Sequence, residues 1–596
     1  MEGSVTPTDD LPRLKRMFEE ARDLTQTART ESMTDIDYYD NKQWTADEIR
    51  ELRKRGQPDI VINRLKPAIN GILGVVERGK SEPRAFPRTP KDQDSADLAT
   101  DTLRFVADFN RFDQLKIRCF KDMLVPGTMA AQVLVNADRQ ITVEQIRWEE
   151  FFYDPRSRRE DFADAKYLGI AKWMYADDVS AIYPDKKDEV EAALEAGDAT
   201  DESFADRPTD GRNAWVDKKR RRLLVVELYY NEGGWKRCCY VSGAILAQGD
   251  SPYQDDKARP TCPIVAASAY VDRENNRYGP ARDMRGPQDE INHRRSKGIH
   301  LLNVRQVQES APGAGMGSAD EARAEAAKPD GAIPSGWVIV PTTDMAQGQL
   351  QMLQEAKGEI ERLGPNPAVL GREGTDSSGR ALLARQQAGL VELAILFGLL
   401  EDWELRIYRQ CWARARQYWT EPQWIRVTDD EGAPQFVMLN EPQMGPPQVV
   451  MGEGGMPTVQ PTVLGYRNQI AELDVDIILD STPDTANVQQ EQFQDLMQLV
   501  GSNPAYAQTV PFEMLLELST VPHKRDLLDK LKQFREQAQQ AQAQAQQMQG
   551  AKLQADVQKT QADARLADAK ATTEMFTGAA AHAQAMAPPM LPAAGV

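Results

Sequence analysis

The residues 374–381, GTDSSGRA, nearly match the phosphate-binding loop G-x-x-x-x-G-K-[ST]. A working loop follows a buried strand, reaches phosphate with its lysine and holds magnesium with its hydroxyl residue. Here Arg380 replaces the lysine, Ala381 replaces the hydroxyl residue, and Pro365 and Pro367 interrupt the preceding segment. The stretch therefore does not predict nucleotide hydrolysis. It predicts the start of a helix, capped by one of its Asp or Ser side chains.

Three aspartates, Asp474, Asp476 and Asp480, lie on one face of a predicted strand, because alternate residues of a strand share a face. Carboxylates grouped in this way can hold the metal of a nuclease. However, no lysine or histidine lies nearby, and the sequence that follows favours a turn. His293 and His300 share a helix face, but two histidines without a third ligand make a poor zinc site. We therefore expect no catalytic residue, no metal and no cofactor.

The 596 residues carry 91 acidic and 72 basic side chains, a net charge of -19. Proteins that bind DNA tightly have a basic excess, so this balance excludes a strong DNA binder. The longest apolar run, Leu390 to Leu400, is about half of the ~20 residues that a membrane span needs, and Glu392 interrupts it. The polar N-terminus does not resemble a signal peptide. The five cysteines lack CxxC spacing, so we expect reduced, buried thiols inside a cell.

The elements that would position these groups are predicted to be a mixture of helices and strands. Thr45 and Glu48 have the spacing of a helix capping box. Residues 92–124 have the apolar period of a helix, and residues 59–65, DIVINRL, are a short strand candidate. Gly233 and Gly234 predict a turn between antiparallel strands. The sequence therefore indicates the α+β class.

The longest predicted helix runs from Asp376 to Trp419 and would be about 65 Å long. It is apolar on nearly all sides between Leu390 and Leu400, as expected of a helix that packs between two neighbours. Residues 537–549 are almost entirely Gln and Ala, which favours a helix but provides very little core. Such a segment becomes stable if many copies pack together, and otherwise remains a solvated tail.

Five stretches of the chain, in this order and spacing, resemble the portal proteins of tailed bacteriophages, of the kind found in short-tailed phages. They are YYDNKQWTADEIRELRKRGQPDIVINRLKPAINGILG, RYGPARDMRGPQDEINHRRSKGIHLLN, DEARAEAAKPDGAIPSGWVIVP, GPNPAVLGREGTDSSGRALLARQQ and DVDIILDSTPDTANVQQEQF. The resemblance implies a structural protein rather than an enzyme. It implies a ring, typically of twelve copies, at one capsid vertex, with a central channel through which DNA enters during packaging and leaves during ejection.

The resemblance also implies a mainly helical portal fold with a β-rich wing, long stem and channel helices, a clip, and a C-terminal helical crown and barrel. Mapped onto this sequence, the expected parts are wing 1–278, stem helix 279–303, clip 304–345, second stem helix and channel loop 346–375, long channel helix 376–420, returning wing strands 421–485, crown 486–534, and barrel with a disordered tail 535–596.

Residues on the long helix and its lead-in would then have two roles. Arg372, Arg380 and Arg385 are candidates for weak contact with DNA phosphate, whereas Glu401, Asp402 and Glu404 would repel DNA if they faced the channel. Such mixed charge would let DNA pass without trapping it. The candidates for packing between subunits are Leu390, Leu393, Leu396, Phe397, Leu400, Trp403 and Trp412.

The partners implied by the resemblance are the terminase large subunit, the major capsid protein and scaffold, tail adaptor or head-completion proteins, and double-stranded DNA in transit. The resemblance places the protein in the virion after assembly in the host cytoplasm, without a membrane. Two alternatives stay open. One is a magnesium-dependent nuclease or an NTPase of the packaging machinery. The other is a different head-completion or scaffold-like protein that assembles through its Gln/Ala-rich tail.

Overall fold

The computed structural model has two compact units, Met1–Pro483 and Asp484–Val596. In the second unit it describes residues 557, 559–575 and 577, all of them helical. In the first unit it describes residues 10–87, 93–196, 215–303, 306–328, 330–340, 343–364, 391, 393–428, 434–445, 448–451, 457–460, 463–468, 470–473 and 475–482.

The helices described in the first unit vary in length from 7 residues in α6 to 29 residues in α1. They are α1 Leu11–Tyr39, α2 Ala46–Lys54, α3 Leu65–Arg78, α4 Gln93–Asn110, α5 Phe112–Leu124, α6 Ala176–Ile182, α7 Lys187–Ala196, α8 Arg285–Asn303, α9 Ala319–Ala326, α10 Thr343–Leu363 and α11 Ala394–Tyr418. The predicted capping box is confirmed at α2, where Thr45 accepts from the backbone N–H of Glu48 and the Glu48 carboxylate accepts from that of Thr45.

The described strands fall into two groups along the chain, before α8 and after it. They are β1 Lys80–Pro87, β2 Thr128–Val135, β3 Ile141–Ile146, β4 Phe151–Tyr153, β5 Tyr167–Tyr175, β6 Val216–Asp217, β7 Arg222–Asn231, β8 Trp235–Tyr240, β9 Ile245–Asp250, β10 Ile264–Ser268, β11 Tyr270–Val271, β12 Arg277–Tyr278, β13 Gln306–Glu309, β14 Trp337–Val340, β15 Gln423–Thr428, β16 Pro434–Leu439, β17 Glu441–Met444, β18 Gln448–Met451, β19 Pro457–Gln460, β20 Val463–Arg467 and β21 Val475–Thr482.

Every strand pairing among the described residues is antiparallel, and the α+β prediction is confirmed. The largest sheet has six strands in the order β4-β5-β7-β8-β9, with β6 beside β7. The predicted turn joins β7 to β8, and Gly233 supplies its positive φ of 72°. A second sheet has the order β10-β2-β3. The strand β1 pairs with β21, which brings Lys80 opposite Thr482.

The largest core lies where α4, α5 and α11 pack on the β10-β2-β3 sheet. Leu115, Cys119 and Phe120 recur at helical spacing along α5, and all three are buried. They belong to the same cluster as Met129 of β2 and Trp403 of α11. The five cysteines are free and buried, as predicted. This core fixes the position of α11 in the protomer.

A second core forms where α1 packs on the six-stranded sheet. Leu14 and Phe18 of α1 share a cluster with Leu228 and Tyr240. The Tyr240 hydroxyl donates to the carbonyl of Leu14 at 3.1 Å, so the polar end of the ring is satisfied inside the contact. The N-terminal helix is thereby attached to the six-stranded sheet by both apolar and polar contacts.

The helical prediction for residues 92–124 is confirmed, with one break at Arg111, whose left-handed φ of 48° separates α4 from α5. The strand prediction for residues 59–65 is wrong. Residues 59–64 form no strand. Their backbone pairs with side chains of α8 instead: the N–H of Ile62 donates to Asn292 and that of Arg64 donates to Gln288.

Candidate functional site

The helices α8 and α10 pack side by side and correspond to the two predicted stem helices. Their shared core is small and consists of Ile291 from α8 with Leu353, Ala356 and Ile360 from α10. Arg294 of α8 also donates to the side chain of Gln349 at 3.2 Å. Arg294 comes after Ile291 on α8, whereas its partner Gln349 comes before Leu353 on α10. The two helices are therefore antiparallel.

Buried polar side chains attach α8 to the N-terminal part of the chain. Gln288 donates to the carbonyl of Ile62 at 2.9 Å, Asn292 donates to Gln43 at 2.7 Å, and Ser296 donates to the carbonyl of Pro58 at 2.6 Å. The three are one turn apart on one face of α8, which is why the chain at 58–64 follows that face. These hydrogen bonds therefore hold α8 against the N-terminal part of the chain.

A charged cluster lies where α8 begins. The fully buried Asp35 of α1 accepts from Arg282 at 3.0 Å and from Arg285 at 3.2 Å, and Arg285 also pairs with Glu31 at 2.6 Å. Burial raises the pKa of Asp35 to about 6, although the two arginines act against that increase. Sequence reasoning missed this cluster, because Asp35 and Arg282 are separated by 247 positions.

The residues between α8 and α10 were predicted to form the clip. The structure has there the antiparallel pair of β13 and β14, with Gln306 opposite Val340, and the short helix α9. Ser318 caps α9 by accepting from the N–H of Glu321. The division of the chain into wing, stem, clip, channel helix, crown and barrel stays a prediction. Residues 486–534, the predicted crown, lie outside the described residues.

The helix α11 is the described part of the predicted long helix, whose start at Asp376 lies outside the described residues. Trp403 is fully buried, and its indole N–H donates to the carbonyl of Val265 at 3.0 Å. The packing of the predicted subunit contacts inside one protomer corrects that prediction: an apolar surface around a helix is also satisfied by an intramolecular core. These residues, buried or half-buried in the largest core, are Leu393, Leu396, Phe397, Leu400, Trp403 and Trp412.

Glu404 does not face a channel, which is a second correction. Its carboxylate is 2% exposed and lies 3.4 Å from the ammonium group of Lys116. The hydroxyl of Ser81 donates to Glu404 at 2.7 Å and accepts from Lys116 at 2.7 Å. Burial raises the pKa of Glu404, whereas the charge of Lys116 and the Ser81 hydrogen bond act in the opposite direction. The three groups join β1, α5 and α11 inside the protomer.

The remaining candidates divide into exposed residues and residues that the structure does not describe. Glu401 and Asp402 are exposed, and Asp402 pairs with Arg406 one turn further along α11 at 2.8 Å. Their role as channel charges stays a prediction. Arg372, Arg380, Arg385 and Leu390 lie outside the described residues, as does the whole 374–381 stretch.

The side chains that the sequence offered as metal ligands do not come together as a metal site among the described residues. Asp476 is exposed in β21, opposite Phe86 of β1, and Asp474 lies outside the described residues. His293 packs against the edge of Trp44 with ring centres 4.7 Å apart, and His300 lies 3.1 Å from the carbonyl of Gly56. Within the described ranges, no three His, Cys, Asp or Glu residues are grouped as metal ligands. Among the described helices, none is long and apolar enough to cross a membrane.

Comparison with known proteins gives the family. The model of the phage P22-like portal protein family matches residues 15–573. A portal protein of the Helicobacter pylori bacteriophage KHP30 is 24% identical over 420 residues, which are 68% of this chain and 66%, just under two thirds, of that protein. A structure titled the neck of an empty GTA particle, computed with C6 symmetry, covers 66% of this chain and 85% of its own, at 12% identity and a TM-score of 0.29. The chain belongs to the P22-like portal protein family.

Proposed function

We propose that this protein is the head-to-tail connector of a tailed phage. Identical copies form a ring at one capsid vertex, and DNA passes through the central channel during packaging and ejection. The observation that carries the proposal is the family match across residues 15–573, which includes all the described helices and strands of the first unit from α2 onward. Twelve copies are the number we expect.

The described elements support a division of labour within the subunit. The α8–α10 pair is the stem, because the two long helices pack side by side on a small core and α10 keeps much of its surface exposed. Residues 304–345 are the clip, and α11 lies beside the channel. The strands before α8 and after α11 form the wing. The exposed helical residues 559–575 belong to a barrel that becomes stable when several copies pack together.

The protein works with partners and performs no chemistry of its own in this proposal. The terminase large subunit supplies the energy for DNA movement, the major capsid protein and scaffold surround the ring, and tail adaptor proteins bind after packaging. The net charge of -19 fits a channel that DNA must leave as readily as it enters. The phosphate-loop-like stretch lacks the required lysine and hydroxyl residue, which supports a structural role.

The decisive experiment is electron microscopy of the purified full-length chain, combined with light scattering to measure its mass. We expect particles that have rotational symmetry and a central hole when viewed along the axis. A monomer at every concentration, even with capsid and scaffold protein present, would contradict the proposal.

Two further assays separate the alternatives. Mg²⁺-dependent DNA cleavage that Asp476→Ala abolishes, or ATP turnover that Arg380→Ala abolishes, would favour an enzyme. Truncation after Gln533 separates a connector from a tail-driven assembler: we expect the truncated chain to keep its ring, whereas an assembler would lose it.

A further inference from the structure

A small cavity lies inside the protomer between α1, β2, β4 and β12. Its free volume is about 10 Å³, which is close to the size of one water molecule or one monatomic ion. Two arginines border the cavity, Arg29 from α1 and Arg277 from β12. The other residues that line it are neutral, and they are Ala28, Ser32, Thr128, Trp148, Phe151 and Tyr153. The wall of the cavity therefore carries two positive charges and no negative charge.

Arg277 is 2% exposed, and its hydrogen bonds go to neutral oxygen atoms. One terminal nitrogen donates to the hydroxyl of Ser268 at 2.6 Å, and the other donates to the carbonyl of Ser157 at 3.0 Å. Its Nε has no hydrogen-bond partner among the described residues. The carboxylate with the largest influence on Arg277 belongs to Asp164, which instead accepts from the Ser157 hydroxyl at 2.7 Å and from the N–H of Arg158 at 2.8 Å. A buried charge in such surroundings is costly unless something pairs with it.

Arg29 has no carboxylate partner in the described part of the chain either. Its guanidinium donates to the carbonyl of Phe151 and lies 3.5 Å from the carbonyl of Glu149, so Glu149 contributes its backbone and not its charge. The Nε donates to the hydroxyl of Thr25 at 3.3 Å. Burial lowers the pKa of Arg29 and of Arg277, which indicates that the surroundings do not fully replace the hydration of either guanidinium.

We infer that the cavity is a binding site for one monatomic anion of the size and charge of chloride, held between Arg29 and Arg277. The hydroxyls of Tyr153 and Thr128 complete the set of donors around it. The charge balance favours an anion over water, because a water molecule leaves both guanidinium groups without a counter-ion. The small volume excludes phosphate, sulfate and carboxylate groups, each of which has several heavy atoms.

The bound ion links elements that lie far apart in the sequence. It joins α1 to β12, which is followed by the segment that leads into α8. Ser32, at the wall of the cavity, also accepts from Arg282 of that segment at 3.3 Å. The anion therefore stabilises the same junction between α1 and the start of α8 that the Asp35 cluster holds from the other side of Ser32.

The dependence of stability on chloride tests the site in the full-length chain. Sodium chloride replaces sodium gluconate at constant ionic strength, so that screening of surface charges does not change. Gluconate is too large for the cavity, whereas bromide is only slightly larger than chloride. The thermal midpoint should rise by about 2–4 °C between zero and about 0.2 M chloride and then level off, as for a ligand that binds only the folded state. Bromide should have the same effect. A midpoint that does not depend on the anion, or that rises without levelling off, would overturn the site.

Variants locate the effect. Arg29→Met should remove the saturable response to chloride. Arg16→Met is the matched control, because Arg16 is exposed on the same helix, and this variant should respond like wild type. If Arg29→Met does not fold, Tyr153→Phe takes its place: the loss of one hydroxyl donor should raise the chloride concentration at half effect by about tenfold. A full response in Arg29→Met, or an unchanged half-effect concentration in Tyr153→Phe, would contradict the site.

The width of the chloride NMR signal measures the ion directly. Wild-type protein should broaden the signal, and added bromide should reverse the broadening by competing for the same cavity. The excess width should fall by about tenfold in Arg29→Met. Equal broadening by the wild type and by Arg29→Met would mean that chloride binds elsewhere on the protein. None of these measurements requires a ring, so their outcome is independent of the proposed function.

Discussion

The helices α11 and α10 have similar lengths and opposite surroundings. α11 is packed on several sides by α4, by the β10-β2-β3 sheet and by the short 3₁₀ turn Ile470–Glu472, and it buries Trp403, Ile407 and Trp412. α10 contacts chiefly α8 and buries Leu353, Ala356 and Ile360. The same backbone structure is thus supported by a large core in one place and by a few side chains in the other.

The difference shows which apolar residues of these helices the subunit itself buries. The apolar side chains of α11 were expected to meet neighbouring subunits, yet most of them pack in the core of the protomer, whereas Ile395 is 70% exposed. Much of the surface of α10 is exposed and charged. Apolar content in the sequence is therefore not sufficient to identify a surface that meets another subunit.

The largest effect that can test this comparison is the loss of Trp403. Trp403→Ala should reduce the free energy of unfolding by about 3–5 kcal/mol, because it leaves a cavity in the main core and the carbonyl of Val265 without its indole donor. Chemical denaturation followed by circular dichroism measures this change. The control is Trp424→Ala in β15, where the side chain is 65% exposed and the cost should stay within about 0.5 kcal/mol. Equal costs at the two positions would mean that α11 is not a core helix of the protomer.

The buried charges on α11 provide the next largest effect. Lys116→Met should destabilise the protein by about 3 kcal/mol near pH 8, because it leaves the Glu404 carboxylate buried with only Ser81 as partner. The loss should be smaller at pH 5, where Glu404, whose pKa is already raised, can take up a proton.

The double variant Lys116→Met with Glu404→Gln is the control for this prediction. It removes the uncompensated charge and should recover most of the stability at pH 8. Urea denaturation of the single and double variants at both pH values gives the coupling between the two residues. An equal loss of stability relative to wild type at pH 8 and at pH 5 would mean that the charge of Glu404 does not depend on Lys116.

Much of the fold follows from local patterns in the sequence, whereas this ion pair does not. The Thr45–Glu48 capping box and the Gly233 turn are short-range signals, and both appear as predicted. Lys116 and Glu404 are 288 positions apart, and each looks like a surface charge until the fold brings them together. The strand prediction at 59–64 is wrong for the same reason, because the backbone of this segment forms hydrogen bonds with side chains of the distant helix α8. Polar pairs between residues far apart in the sequence are the part of the fold that the spacing of apolar residues cannot predict.

The next effect is no larger than this one and concerns the attachment of α8 to the body. Burial raises the pKa of Asp35 from 3.8 to about 6. Between these two values of pH, the folded protein holds a proton on Asp35 that the unfolded chain has already released. Stability from this group is fully present below pH 4 and is lost as the pH rises toward 6, by up to about 3 kcal/mol at 1.36 kcal/mol per unit.

Asp35→Asn should remove this part of the pH dependence, as measured by urea midpoints between pH 4 and pH 7. Asp122 serves as an internal reference, because its pKa is raised to about 7 by burial and its contribution should remain in the variant. An unchanged slope between pH 4 and pH 6 would show that Arg282 and Arg285 keep Asp35 ionised in the folded protein throughout that range.

The smallest effect on overall stability is expected in the α8–α10 pair, where Leu353→Ala removes one of the two large apolar side chains that α10 contributes to the shared core. The global unfolding midpoint should move little, because the pair can open locally while the body stays folded. Amide exchange in α10 should instead accelerate by about tenfold or more, which corresponds to about 1.4 kcal/mol of local stability. Leu350→Ala on the exposed side of α10 is the matched control and should leave exchange within a factor of about two in the unassembled chain. A global loss as large as that of Trp403→Ala would mean that the pair belongs to the main core, and the contrast between the two regions would disappear.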